Sequence, residues 1–240
     1  MTNVIQSSRD GAVARITIDR AAEGNLLTVD MLRELTAAFR AAAASDAKVI
    51  LLRTAGADFC RGRDVRGGTP SPSAMAMRAN VCEPILQIYD AIAEAPQPVV
   101  CAVQGIAHGF GCAMATACDI TIAADNARFK LPEMEKDLPP SLAISAMLAR
   151  VPRKAITWMV YSMEEIGAAS AQQLGIVSHV VPGAELDAAV SKLLATMTAR
   201  SPAALVAVKD YLRSAEHMDP RGARDFAGNL LASVLSSAQR

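Results

Sequence analysis

The sequence has no excess of either charge. Its 24 basic and 24 acidic residues cancel to +0, so there is no electrostatic case for a nucleic acid or an anionic membrane as partner. No apolar run approaches the ~18–20 residues of a spanning helix. The start, MTNVIQSSRDG, lacks a basic stretch followed by an apolar one, and no secretory signal is visible. Five cysteines (Cys60, Cys82, Cys101, Cys112 and Cys118) fall in no CxxC or zinc spacing. They read as small buried hydrophobes in a reducing compartment, which points to the cytoplasm. Of the three histidines, His108 reads as a satisfied structural residue. His179 and His217 have no partner by spacing, and no metal site is expected. No internal repeat is visible. The 240 residues, 52% of them hydrophobic, suffice for one large domain or a core with a helical appendage.

What the sequence does have is two glycine turns, each after a β-rich apolar run. The run Val99 to Val103 breaks at Gly105, then at Gly109 and Gly111 around Phe110. A small-residue helix, Cys112 to Cys118, and an apolar strand, Ile120 to Ala124, follow. Such a strand–turn–helix exposes N–H groups that stabilise an anion. Just downstream, Glu133 stands alone in the mostly apolar LPEM. The second turn follows Val49 to Arg53, where TAGADFCRGRDV sets Gly62 between Arg61 and Arg63 with Asp64 after them. Oxyanion donors beside a carboxylate are the parts that make and protonate an enolate. Taken singly, each glycine is an ordinary tight turn, each arginine a solvated charge, and Glu133 a surface glutamate. Two such turns together lift the functional reading above that default.

Around these turns, strands and helices alternate, as in an α/β fold. Strands are expected at Val13–Asp19, Lys48–Arg53, Val99–Val103, Ile120–Ala124 and Val177–Val181. Thr28 is a plausible N-cap for a helix to Ala44. Further helices are expected over Met75–Ala95, Ser141–Ala149, Lys154–Ser162 and Ala168–Leu174, the last capped by Gly175. Leu186–Ala199, Pro202–Ala215 and a segment from Pro220 complete the helices. The segment 67–73, GGTPSPS, reads as a mobile loop. Met75 and Met77 read as core or pocket filler, and Trp158 as helix packing or an interface.

The pair FCRGRDV and GIAHGFGCAMATACDITIAADNARFKLPE resembles the crotonase superfamily, the enoyl-CoA hydratase/isomerase family. ITIDRAAEGNLLTVDMLRELTAAF and AQQLGIVSHVVP extend the resemblance over nearly the whole chain. It implies an α/β crotonase (ClpP-like) spiral of ββα turns over 1–182 and a C-terminal helical trimerisation region over 183–240. Periodicity alone suggests a doubly wound sheet instead. The resemblance makes the backbone N–H groups of Arg63 and Phe110 the oxyanion donors and Glu133 the catalytic carboxylate. It places Ala22, Leu26, Arg61, Gly62, Asp64 and Val65 around the substrate from the first turn. Gly109, Pro132 and Leu138 do the same from the second. Arg61 is the better candidate for a coenzyme A phosphate. The implied substrate is an acyl-CoA thioester, with coenzyme A part of the substrate and no other cofactor. The implied assembly is a homotrimer or dimer of trimers.

Two positions depart from the family pattern. Ala113 stands where its hydratases usually hold a second glutamate. Ser141 stands where its dienoyl isomerases and a dehalogenase carry an aspartate. One glutamate alone resembles the Δ3,Δ2-enoyl-CoA isomerases, in which one base shuttles a proton between C2 and C4. Hydration (or hydration with cleavage) by Glu133 alone is the alternative, and a non-catalytic acyl-CoA-binding protein is the alternative of another class. Glu135 and Asp137 match no catalytic position, and Cys112 has no matched base to make it a nucleophile. Longer members continue into a helix that closes over coenzyme A. This sequence ends at FAGNLLASVLSSAQR, so part of that lid is expected to be missing or to come from a neighbouring subunit.

Overall fold

The computed structural model describes residues 3–66 and 72–237. The chain opens with a hairpin, β1 (Ile5–Asp10) against β2 (Val13–Ile18), turning at Gly11 and Ala12. β1 was not anticipated. Five of its six residues, IQSSRD, are exposed, so it lacks the apolar alternation that marks a strand. α1 (Val29–Ala43) starts at Thr28, whose Oγ1 accepts from the Met31 N–H at 3.4 Å. It buries Leu32, Leu35, Thr36, Phe39 and Ala42 along one face. β3 (Val49–Thr54) follows. α2 (Ala74–Met77) passes through a π turn at Arg78–Cys82 into α3 (Glu83–Glu94), close to the continuous helix expected. Of the expected loop, 67–71 lie outside the described residues, and Ser73 caps α2.

β4 (Val99–Val103), β5 (Ile106–His108), α4 (Phe110–Ala117), β6 (Ile120–Ala124) and β7 (Arg128–Lys130) come next. Then come α5 (Ser141–Met147), α6 (Arg153–Ser162), β8 (Ile166–Gly167), α7 (Ala168–Gln173) and β9 (His179–Val181). α8 (Leu186–Thr198), α9 (Pro202–Ala215) and α10 (Pro220–Ser237) end the described chain.

Six strands form one sheet in the order β1-β2-β3-β4-β6-β9, parallel after the opening hairpin. Its central strands are buried on both faces, and their alternate side chains feed two cores. Ile50, Leu52, Val99, Cys101 and Val103 pack toward α1, α3, α4 and α5. Val49, Leu51, Val100 and Ala102 pack with Leu186, Val190, Leu194 and Met197 of α8. A second, small sheet runs β5-β7-β8 and continues through single bridges at Cys60–Ala107 and Leu27–Arg63. Four times, then, a long strand is followed by an extended step in the small sheet and by a helix. The sequences are β2–Leu27–α1, β3–Cys60/Arg63–α2/α3, β4–β5–α4 and β6–β7–α5. This is the ββα spiral that the resemblance implies, not a doubly wound sheet. The repeat is structural without being sequential, because the second step of each turn is only one to three residues long.

Two side-chain expectations need correction. Met75 is 84% exposed and Met77 43% exposed, so neither fills the core. Both lie on the short α2, which buries no residue. Four cysteines are buried and Cys82 is half-buried, all as free thiols. No helix among the described residues is long and apolar enough to cross a membrane.

α8 stays packed on the sheet, and α9 is tied to it through Leu205 and one buried cation. Lys209 Nζ pairs with Asp119 at 2.8 Å and donates to the carbonyls of Ile92 at 2.8 Å and Gln97 at 3.1 Å. Asp119 in turn accepts from the Val99 N–H at 2.7 Å, so the pair joins α9 to the starts of β4 and β6. α10 packs on α9 through Tyr211 and Phe226, ring centres 6.0 Å apart. Lys209→Met keeps the stem but strands Asp119 and two carbonyls. Loss of these charged hydrogen bonds should lower stability by about 1.5–3 kcal/mol, read from the urea midpoint. An unchanged midpoint would mean that α9 is held by its apolar face alone.

Candidate active site

The first turn is set by its neighbours. Leu27 donates to the Gly62 carbonyl at 3.1 Å, and the Asp64 N–H donates back to the Leu27 carbonyl at 2.9 Å. In extended chain, successive peptide groups point to opposite sides. The Arg63 N–H therefore faces away from Leu27, and among the described residues it has no acceptor. Gly62 has φ +116°, which a residue with a Cβ rarely adopts. Behind the turn, the buried Asn25 ties the segment after β2 to the loop after β3. Its Nδ2 donates to the Ala55 and Asp58 carbonyls at 2.9 and 2.8 Å, and its Oδ1 accepts from the Arg20 N–H.

The second turn is Gly109, at φ 52° and ψ −116°. Its N–H donates to the Lys130 carbonyl at 2.8 Å, and its carbonyl accepts from the Ala113 N–H at 3.0 Å, starting α4. Phe110 is the first residue of that helix, and its N–H has no acceptor among the described residues. The two turns touch. A Cβ on Gly111 would lie 2.2 Å from the Cys60 carbonyl oxygen, and one on Gly62 would lie 3.5 Å from that of His108.

Glu133 sits against the second turn. A Cβ on Gly109 would lie 3.0 Å from its Oε1 and 3.8 Å from Pro132 Cδ. Its Oε2 is buried without a hydrogen-bond partner among the described residues. Burial raises the carboxyl above its ordinary value, opposed by its own backbone N–H. Leu138 donates its N–H to the Glu133 carbonyl at 3.2 Å, although its side chain is exposed. Ala113, one helical turn beyond Gly109, is fully buried and brings no polar group. Ser141, Glu135 and Asp137 are exposed.

The remaining expected residues fall into two groups. Gly62, Arg63, Gly109, Phe110, Pro132 and Glu133 come together. Ala22, Leu26, Arg61, Asp64 and Val65 lie outward along the first turn. Arg61 is exposed, crosses Gly24 and pairs with Asp58 at 2.7 Å. The Asp64 carboxylate is occupied within the protein by Arg66 and by Arg20 at 2.8 Å, which hold it well below the usual carboxylate range. Any substrate contact from Asp64 is therefore left to its backbone. The Arg63 side chain is half-buried, burial lowers its pKa, and no acidic group among the described residues pairs with it. Phe110 turns its ring into the core instead of across the turn. His108 is engaged, its Nε2 lying 2.9 Å from Glu165 Oε2. Burial pushes the Cys112 thiol up to about 12, which leaves it protonated and unfit as a nucleophile.

Two residues escaped the sequence reading. Asn25 has φ 53°, and asparagine before an apolar pair is a weak signal for that conformation. Tyr89 of α3 stacks on Phe110, ring centres 6.1 Å apart, and buries a hydroxyl without a partner. In sequence it is one more large residue on an amphipathic helix.

Comparison with known proteins agrees with this fold. The sequence profile described as enoyl-CoA hydratase/isomerase matches residues 8–240. A 2,3-dehydroadipyl-CoA hydratase of Escherichia coli is 32% identical over 213 residues, 88% of this chain and 82% of that protein. The human mitochondrial enoyl-CoA hydratase domain-containing protein 3 is 31% identical over 73% of this chain, which spans 58% of that protein. An enoyl-CoA hydratase structure from Mycobacterium smegmatis superposes with TM-score 0.92 at 28% identity, covering 97% of this chain and 91% of that one. With the spiral, the paired glycine turns and these relatives in agreement, the chain belongs to the enoyl-CoA hydratase/isomerase family.

Proposed function

We propose that the protein polarises an acyl-CoA thioester between the Arg63 and Phe110 amides and moves a proton at C2 with Glu133 as its only carboxylate. The observation that carries this is the buried, unpaired Glu133 Oε2 at a turn whose neighbouring N–H groups lack acceptors. An enolate oxygen satisfies both amides, and a base with a raised pKa suits an exchange of protons with carbon. Coenzyme A enters as part of the substrate, and Arg61 faces its phosphates. The carboxylate count favours isomerisation. Glu133 takes a C2 proton from a 3-enoyl thioester, the electron pair is held as the dienolate, and the same proton returns at C4. Hydration of a 2-enoyl thioester is the second reading, supported by the hydratase names of the relatives. The exposed Val208, Leu212, Leu231 and Leu235 of α9 and α10, with Trp158, suit subunit contacts in a trimer.

Turnover of 3-hexenoyl-CoA should exceed hydration of crotonyl-CoA. Efficient hydration with no isomerisation reverses the order, and no turnover of either leaves a binding protein.

Glu133→Gln should cut kcat about 10²–10⁴-fold while acyl-CoA affinity holds. The pH dependence has a definite sign. The base must be ionised, so activity is lost as pH falls through a value above 4.5, the carboxyl's ordinary pKa. Because its folded pKa is raised, the ionised form opposes folding above that pH, and Glu133→Gln should raise Tm at pH 8. A lower Tm would mean that the carboxylate is stabilised where it lies.

Gly109→Ala forces a Cβ into a positive-φ turn and against Glu133 Oε1. It should remove most turnover, whereas Arg63→Ala, which keeps the N–H, should be far milder. Comparable losses in the two variants would argue against amide donors.

A further inference from the structure

Tyr89 is 8% exposed, and its hydroxyl has no partner among the described residues. A buried phenol hydroxyl ordinarily has one. Its ring lies on Phe110 with the planes 24° apart, so it stands beside the turn that carries the Phe110 N–H. Glu133 lies against the same turn, its Oε1 3.0 Å from where a Cβ on Gly109 would be; burial, and after it the Glu133 charge, raise the phenol's pKa and keep the hydroxyl a neutral donor. Among the described residues, Tyr89 Oη, Glu133 Oε2 and Gln97 Oε1 are the buried side-chain atoms without partners. Gln97 is elsewhere, its amide nitrogen donating to the Ala43 and Ser45 carbonyls. A donor and an acceptor thus stand unpaired beside one turn, with the buried Cys60, Cys112 and Ala113 around it. A single oxygen that both accepts and donates, such as a water or an alcohol, satisfies the two at once.

We propose that Tyr89 contacts the substrate and recognises an oxygen at carbon 3 of the acyl chain, together with Glu133. That oxygen is the water adding to a 2-enoyl thioester or the hydroxyl of a 3-hydroxyacyl thioester. Tyr89 thereby fills from α3 the role for which Ala113 on α4 has no polar group. The inference rests on the hydration reading. In that step the water oxygen, accepting from the Tyr89 hydroxyl, bonds to carbon 3 as its proton passes to Glu133. The C2=C3 electron pair moves onto the thioester oxygen between the Arg63 and Phe110 amides. Glu133 then returns the proton to C2, so one water is added and the carboxylate is restored.

The test compares wild type with Tyr89→Phe, which keeps the ring on Phe110 and deletes one oxygen. Calorimetry gives the affinities of 3-hydroxybutyryl-CoA and of butyryl-CoA, which lacks the carbon-3 oxygen. The ratio of the two affinities should fall roughly 3–10-fold in Tyr89→Phe, the worth of one neutral hydrogen bond. Butyryl-CoA binding in the same variant reports that the pocket is folded. The rate of crotonyl-CoA hydration relative to C2 proton exchange in deuterated water should fall with it. An unchanged affinity ratio overturns the proposal. If wild type does not hydrate crotonyl-CoA, the hydration reading fails by itself, and the affinity ratio still decides whether Tyr89 meets that oxygen.

Discussion

Everything in the candidate site depends on one steric fact: backbones from two different ββα turns lie in direct contact. The Ala57 carbonyl presses where a Cβ on Gly105 would be, at 2.1 Å, and the Cys60 carbonyl does the same to Gly111 at 2.2 Å. Hydrogen bonds from Cys60 to Ile106 and from His108 to Cys60, both 2.9 Å, close the contact from either side. Only glycine permits that approach. It fixes the Arg63 and Phe110 amides relative to each other through main chain, which has far fewer ways to relax than side chains. Asn25 and the Arg20–Asp64–Arg66 cluster brace the first turn from outside, and the Lys130 carbonyl braces the second. Two unpaired amides held this rigidly are what the proposed stabilisation of an oxyanion requires.

The same packing sets the chemistry of Glu133. An open site would leave an ordinary carboxylate. Here the turn at Gly109, Pro132 and the apolar wall of α4 remove water from one oxygen without supplying a donor. The fold opposes this ionised group. Lys209 and Asp119, and Arg20 and Asp64, are by contrast matched pairs. An unmatched carboxylate at this turn costs stability, a cost that the proposed role as a base accounts for.

Much of this was legible in the sequence, for physical reasons that also mark its limits. The long central strands and α1 announce themselves because burial on a face, or on both, imposes a pattern on many residues. The short strands β5, β7 and β8 have three, three and two residues, too few for any period, and β1 is a polar edge. The crossing sheet that assembles the site was therefore legible only through resemblance to a family, never through periodicity. Glu133, Gly62 and Gly109 were singled out because their neighbours are diagnostic in kind, and the fold sets them at adjoining turns. Asn25 and Tyr89 were not, since each acts through a conformation or an orphaned atom that only coordinates reveal. The methionines of α2 misled because an apolar residue on a short helix buries only if something covers that helix.

The count of carboxylates on α4 is an incomplete guide to what this site does. That count asks which acids one helix presents, whereas the reacting carbons are enclosed from several sides. α3 reaches the same turn through Tyr89, stacked on Phe110, whose N–H is proposed to hold the thioester. A phenol with a raised pKa cannot act as the second base of a two-carboxylate hydratase, but it can hold a water in line while one carboxylate moves the proton out and back. With one group moving protons, the rate depends on how well the other groups fix the oxygen, and a hydroxyl on a rigid, stacked ring loses little entropy in doing so. The choice between isomerisation and hydration then turns on whether the site holds water beside carbon 3, a property of α3 that inspection of position 113 alone does not reveal.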